Sequence, residues 1–288
     1  MKVWIDGKIV EGSEARIPVT DHGLLYGDGV FEGLRVYGRK VFRLADHLRR
    51  LETAARALGI ELPGGREFIE KVVLETARAH GREEAYLRLV VTRGSGELGV
   101  DPTTCHEPRV ICIADEVRLY PEAKRREGLA VVTSSLRKPP ADTLDPRIKS
   151  LNYLNSVLAK REARLQGADE ALLLNMDGMV AEASVANIFA VRAGVLMTPP
   201  ASDGALEGIT RATVLELAEA HGVPSRVMTL GRFDLFGADE VFLTGTGARL
   251  VSVATLDGQP IGRPGHYPVA DRLSEAFARF TRDHGTPF

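Results

Sequence analysis

Ala171-Leu-Leu-Leu-Asn-Met-Asp-Gly-Met-Val-Ala-Glu-Ala-Ser-Val-Ala-Asn-Ile-Phe-Ala-Val-Arg-Ala-Gly-Val-Leu-Met-Thr198 contains four β-rich runs with no helical period between them. Residues 171–175 and 179–181 flank the turn dipeptide Asp177-Gly178, and 187–191 and 195–198 flank Ala193-Gly194, before Pro199-Pro200 ends the run. Successive hairpins do not occur in a doubly wound sheet, where a helix separates each strand from the next. With helices read elsewhere in the chain, the pattern predicts an α+β fold.

Downstream, residues 208–221 form a helix by apolar period with Gly222 as its stop, entered through Leu206-Glu-Gly-Ile-Thr-Arg211. Strands at 241–244 and 250–255 enclose Gly245-Thr-Gly-Ala248, and 268–280 is a closing helix. Upstream, 152–165 is helical, Pro139-Pro140 breaks the strand at 129–134, and the charged stretch 115–127 has no strong apolar period. The N-terminal part holds hairpins at 3–5/9–10 and 30–37/40–42, the second after the Gly-rich His22–Gly29. A helix follows in which Leu48, Leu51, Ala55 and Leu58 share a face, with Asp46 expected as its cap; a second helix spans 66–80. Residues 85–92 and 109–114 are strands, and alternation puts Tyr86 and Arg88 on one side. Two domains are predicted, 1–116 and 127–288, with 117–126 as linker.

At 288 residues there is ample chain for a core. The 37 basic and 39 acidic residues, net charge -2, offer no field for nucleic acid or an anionic membrane, so a small-molecule ligand is expected. Two cysteines, Cys105 and Cys112, make neither a disulfide framework nor a metal site, which fits a reducing cytoplasm. The histidines lack metal spacing, no apolar run has the length of a membrane span or signal peptide, and no Walker loop, nucleophile elbow or dinucleotide fingerprint occurs.

Five features carry candidate chemistry. Lys149, in Asp145-Pro-Arg-Ile-Lys-Ser-Leu-Asn-Tyr-Leu-Asn-Ser156, precedes a helix; a lysine can bind a carbonyl cofactor if burial or charge frees its amine of a proton. The start of the helix at Gly208-Ile209-Thr210 and the turn Thr244-Gly-Thr-Gly247 expose backbone N–H groups suited to phosphate, and Arg50 can add a fixed charge. Each of these alone is more often a cap, a turn or a surface charge. Glu182 reads either as an edge-strand surface charge or as a buried partner for a ring nitrogen; spacing leaves both open.

The chain resembles the class IV, or fold type IV, pyridoxal phosphate aminotransferases over nearly its whole length. Glu182-x-Ser184-x-x-Asn187-Ile-Phe189, Leu196-x-Thr198 and Leu206-x-Gly208-Ile209-x-Arg211 have the residue types and gaps of that family's signature. Tyr26-Gly-Asp-Gly-Val-Phe-Glu-Gly-Leu-Arg35, His47-Leu-Arg-Arg-Leu51 and Lys149-Ser-Leu-Asn-Tyr153 look like its first-domain and lysine motifs. The resemblance implies a smaller N-terminal α/β domain, a larger C-terminal domain with a barrel-like sheet, and pyridoxal 5'-phosphate between them. It makes Lys149 the Schiff-base lysine and general base and acid, and Glu182 the carboxylate that keeps the pyridine nitrogen protonated. It gives Tyr153 the phenolic oxygen, gives Arg50, Ile209, Thr210 and Thr246 the phosphate, and packs Leu206 against the ring. Arg50 is then supplied by the first domain and Lys149 by the second.

The branched-chain amino acid aminotransferases are the most similar within the class. Tyr26, Phe31, Tyr86 and Arg88 are implied to line the substrate pocket, with Gly247 and Ala248 offering N–H groups to the α-carboxylate. The reaction implied is ping-pong transfer between a branched-chain L-amino acid and a 2-oxo acid such as 2-oxoglutarate. Residues 94–101 resemble a loop that reaches a neighbouring subunit, which implies a homodimer. Gly245-Thr-Gly-Ala-Arg249 departs from the Gly-Thr-Ala-Ala-Glu of the branched-chain enzymes and bears on substrate choice. D-amino acid or (R)-amine transamination, or aminodeoxychorismate lysis, on the same scaffold is the alternative.

Overall fold

A computed structural model describes residues 1–116 and 120–288. They form two compact units, one of Met1–Val117, Ile148–Asn152 and Thr281–Phe288, the other of Arg118–Arg147 and Tyr153–Phe280. In the first unit, β1 (Lys2–Ile5) and β2 (Lys8–Glu11) form a hairpin. Its Asp6 and Gly7 have φ of 50° and 78°, the left-handed pair that matches strand twist in a two-residue turn. The short α1 (His22–Leu25) leads into β3 (Gly29–Tyr37), β4 (Lys40–Val41), α2 (Leu44–Ala57), α3 (Gly65–His80), β5 (Ala85–Thr92) and β6 (Arg109–Asp115).

With Thr286–Pro287, which pairs with β4, these strands make a seven-stranded sheet ordered Thr286–Pro287, β4, β3, β5, β6, β1, β2. Every neighbouring pair is antiparallel. Val30, Leu34 and Val36 of β3 and Leu87, Leu89 and Val91 of β5 share a core with Leu48, Leu51 and Val73 of α2 and α3. Because paired residues share a face, Phe31, Gly33, Tyr86 and Arg88 stand on the sheet's other side. Asp46 does not cap α2. The cap position is Arg43, at a left-handed φ of 51°, and Asp46 instead accepts from the Arg49 guanidinium at 3.0 Å.

The second unit runs α4 (Glu122–Glu127), β7 (Leu129–Arg137), α5 (Ala141–Leu144), α6 (Leu154–Leu165), β8 (Glu170–Leu174), β9 (Val180–Ala183), β10 (Asn187–Arg192), β11 (Val195–Thr198), α7 (Ile209–Ala220), β12 (Ser225–Val227), α8 (Arg232–Phe236), β13 (Glu240–Gly245), β14 (Arg249–Leu256), β15 (Gln259–Pro260) and α9 (Pro268–Asp283). Its sheet follows the order β12, β11, β10, β13, β14, β7, β8, β9, with β15 beside β14. The stretch 171–198 supplies β8 to β11, and the turn at Ala193-Gly194 is left-handed at both residues, φ 49° and 77°. β9 ends this order yet passes through a tight turn, with Ala183 N–H donating to Ala186 O at 2.8 Å, straight into β10 in the opposite half. The sheet can do this only by curling on itself.

Its pairings are mixed. β7 is parallel to β8 across α6, and β11 to β12 across α7, so single crossovers are set among hairpins. Ala159 and Ala163 let α6 lie close on Ala171 and Leu173. The other face of α6 leaves Leu154, Val157, Leu158 and Leu165 exposed.

The division into units differs from the one expected by chain order. Ile148–Asn152 and Thr281–Phe288 belong to the first unit, because Val30 bridges Ser150, Ile148 packs on the first core, and Thr286 and Pro287 pair with β4. Lys149 is therefore not supplied by the second unit. Residues 117–119 of the expected linker lie outside the described residues; within the rest, Tyr120 is buried and Glu122–Glu127 is helical. Among the described residues, no helix is long and apolar enough to cross a membrane, and no cluster of His, Cys, Asp and Glu could hold a metal.

Candidate active site

In the first unit, Lys149 is held by backbone. Phe31 N–H donates to Lys149 O at 3.0 Å and Leu151 N–H to Gly29 O at 2.9 Å, so residues 149–151 run beside the start of β3. The Lys149 ammonium lies 4.3 Å from the centre of the Phe31 ring. The Arg88 guanidinium lies 4.5 Å from the same ring and 5.5 Å from that of Tyr86. Two cations thus converge on one aromatic face system, an arrangement that suits cation–π attraction and an anionic visitor.

Gly33 makes room for it. A Cβ there would stand 2.2 Å from the Tyr86 hydroxyl. The Tyr26 ring is edge-on to His22 at 4.9 Å, and its hydroxyl accepts from Gly99 N–H at 2.8 Å, tying α1 to the loop 94–101.

On the helix-facing side of β3, Glu32 is fully buried and receives Arg50 Nε and Nη2 at 2.7 Å each and His47 Nδ1 at 2.6 Å. Burial pushes its pKa up, but the charges of Arg50 and His47 and their hydrogen bonds bring it down to about 2. Arg50 is oriented by this fork, an anchoring that the sequence reading did not include.

In the second unit, Glu182 on β9 resolves one of the open alternatives, for it is buried rather than an edge charge. Its Oε1 accepts from Lys138 Nζ at 2.6 Å; its Oε2 accepts from Asn187 Nδ2 and from Leu206 N–H, both at 3.1 Å. Leu206 O in turn accepts from Asn187 at 2.8 Å, so Leu206 meets this carboxylate through its backbone. Lys138 is a site residue that sequence reasoning missed: Arg-Lys-Pro-Pro reads as a solvated turn, and nothing in it signals burial. Burial lowers the pKa of Lys138, but Glu182 beside it raises it further, so the net shift is upward.

Gly208 caps α7 without a side-chain hydrogen bond, which leaves the N–H groups at Ile209 and Thr210 uncapped by any side chain; Thr210 is buried. A Cβ on Gly208 would stand 2.0 Å from Asn187 Oδ1, so only glycine fits. Across the β13–β14 hairpin, Thr246, Gly247 and Ala248 form the turn, and the buried Thr244 hydroxyl has no hydrogen-bond partner among the described residues. The left-handed residue there is Arg249, φ 59°, and not Gly247. Tyr153 stands at the N-terminal cap of α6.

Residues 29–256 match the family model described as Amino-transferase class IV. The chain belongs to the class IV aminotransferases. A branched-chain-amino-acid aminotransferase of Pseudomonas aeruginosa is 36% identical over 280 residues, 96% of this chain and 91% of that protein. The crystal structure of a T.th. branched-chain amino acid aminotransferase with pyridoxamine 5'-phosphate is 38% identical with a TM-score of 0.93, covering 98% of this chain and 94% of that one. The Thermoproteus uzoniensis branched-chain aminotransferase with norvaline is also 38% identical, TM-score 0.91, covering 98% and 95%.

Class IV aminotransferases are pyridoxal phosphate enzymes, and the residues fit that group. A lysine on an aromatic wall, a buried carboxylate with three donors already on it, and a helix N-terminus that admits only glycine are the donor and acceptor types a pyridine ring with aldehyde and phosphate requires.

Proposed function

We propose that this class IV aminotransferase moves the amino group between a branched-chain L-amino acid and a 2-oxo acid such as 2-oxoglutarate in a ping-pong cycle. Pyridoxal phosphate supplies the carbonyl that receives the amino group and the ring that takes up the electron pair. Lys149 would hold the cofactor and, once the substrate amine has taken its place, would take the proton from the substrate Cα as general base and deliver it as acid to the carbon that had carried the aldehyde. Glu182 holds the proton on the ring nitrogen. Tyr153 binds the phenolic oxygen, Leu206 packs on the ring, and Arg50, Ile209, Thr210 and Thr246 bind the phosphate.

The observation that carries the substrate reading is the Phe31, Tyr86 and Arg88 group with Gly33 beneath it. Aromatic walls favour an aliphatic side chain, while the guanidinium can pair with the distal carboxylate of glutamate or 2-oxoglutarate, so one pocket serves both half-reactions. Tyr26 completes its rim, and Gly247 and Ala248 offer N–H groups to the α-carboxylate. The exposed apolar face of α6 supports a homodimer, and the two scattered cysteines support a cytoplasmic enzyme.

The test adds L-leucine, L-valine, L-glutamate, D-alanine and an (R)-amine separately to the holoenzyme and follows the cofactor's visible band. Loss of the band with the first three is expected. Loss with D-alanine alone would replace this reading with a D-specific one.

A further inference from the structure

Lys138 stands where β7 ends, and its direction is fixed from two sides. Its N–H donates to Leu174 O on β8 at 2.9 Å, and its Cβ lies 3.3 Å from where a Cβ on Gly204 would stand. The ammonium is thereby delivered to Glu182 Oε1. A carboxylate offers about four lone-pair positions. Lys138, Asn187 and Leu206 take three and leave room for one further donor.

We propose that Lys138 is a positioning residue for the cofactor. It keeps Glu182 ionised before the cofactor arrives and shares that carboxylate with the ring nitrogen afterwards. The proton on the ring is consequently drawn from solvent and not from Glu182. The proposal rests on Glu182 being the ring's partner.

A buried carboxylate with no cation beside it takes up a proton. The other ionisable groups described around the pair do not supply that cation in contact. Arg211 is also close enough to feel the charge of Glu182, yet its Nη2 donates to Pro199 O at 2.9 Å and its Nε to Thr198 Oγ1 at 3.4 Å. Glu207, near Arg211, and Asp203, on the turn packed against β9, are carboxylates that would only oppose ionisation of Glu182. Tyr153 also acts on Lys138, and a phenol supplies no cation.

Lys138 is not the lysine that holds the cofactor. In a pyridoxal ring the aldehyde stands on the carbon opposite the nitrogen, so an amine in contact with the nitrogen's carboxylate is at the wrong end of the ring. The chain thus has two lysines with separate tasks, Lys149 for the carbonyl and Lys138 for the charge at the far end.

The experiment measures proton uptake when pyridoxal phosphate binds to the apoprotein, by calorimetry in buffers of different ionisation enthalpy. Wild type and Lys138→Arg are expected to take up the same number of protons. Lys138→Gln should take up about one fewer, because Glu182 already carries it. Equal uptake by Lys138→Gln and wild type, with the same pH dependence of the visible band, overturns the proposal.

Glu182→Gln separates the underlying assignment. If that variant leaves both uptake and band unchanged, Glu182 is not the ring's partner and the reading fails at that step instead. Should Lys138→Gln bind cofactor too weakly for calorimetry, melting of its apoprotein decides. With Lys138 gone, ionising the buried Glu182 costs stability that wild type does not lose, so the variant should lose stability relative to wild type as pH rises from about 5 to about 8. A parallel pH profile overturns the proposal.

Discussion

Glu32 concentrates the electrostatics of the first unit, with Arg50 and His47 both bonded to one fully buried carboxylate. Its folded pKa of about 2 lies below the ordinary 4.5. The stability it contributes is therefore complete above the ordinary value and is lost as pH falls through about 2. Glu32→Gln should remove it at neutral pH as well, at a cost of about 3 kcal/mol, because the half-buried Arg50 loses its counter-charge and the buried His47 its hydrogen-bond partner. Urea unfolding at pH 7 and at pH 3 checks both, and an unchanged midpoint in the variant would refute it. Gly33→Ala tests the pocket, since its methyl group would stand 2.2 Å from the Tyr86 hydroxyl. The ring must move, and kcat/KM for L-leucine should fall about tenfold while the melting temperature changes little. At this scale the sequence identified residues by motif, Lys149 and Glu182 among them, but not by surroundings. Lys138 and the Glu32 fork are legible only after distant segments are folded together, because burial of a charged residue leaves no periodic trace.

Among the elements, the hairpins were readable because Asp6-Gly7, Gly38-Arg39 and Ala193-Gly194 carry their turn chemistry locally, and all six residues have positive φ. The start of α2 was not, since its entry depends on Arg43 in a left-handed conformation set by the preceding strand, and aspartate in the first turn imitates a cap. α6 shows the limit of apolar periodicity. Its period predicted a helix correctly but could not say that Ala159 and Ala163 face the sheet while Leu154 and Leu158 face outward, 69% and 41% exposed. If a second copy covers that face, Leu158→Glu should convert dimers to monomers in sedimentation experiments at micromolar protein. A variant that sediments as wild type would place the subunit contact elsewhere.

The whole molecule was legible as two α+β units because hairpins, helix entries and the charged stretch after residue 115 are all local features. What could not be read was the membership of Ile148–Asn152 and Thr281–Phe288, which is decided by pairing with β3 and β4 more than a hundred residues away. Cofactor that binds the folded chain and not the unfolded one should stabilise it. Cofactor at a hundred times its dissociation constant is expected to add about 2.7 kcal/mol to wild type. Lys149→Ala, lacking the covalent tie, should gain much less at the same concentration and form no lysine-linked visible band; an equal gain with the band retained would show that another lysine holds the cofactor.

Thr286–Pro287 closes the edge of the seven-stranded sheet against β4. During synthesis, residues 118–280 must leave the ribosome before that edge strand exists. The unit that begins the chain is thus the last to be completed, and until then β4 presents an open edge to any other nascent strand. A ribosome stalled within α9 would hold a protein whose later-made sheet can be whole while its earlier one still waits for its border.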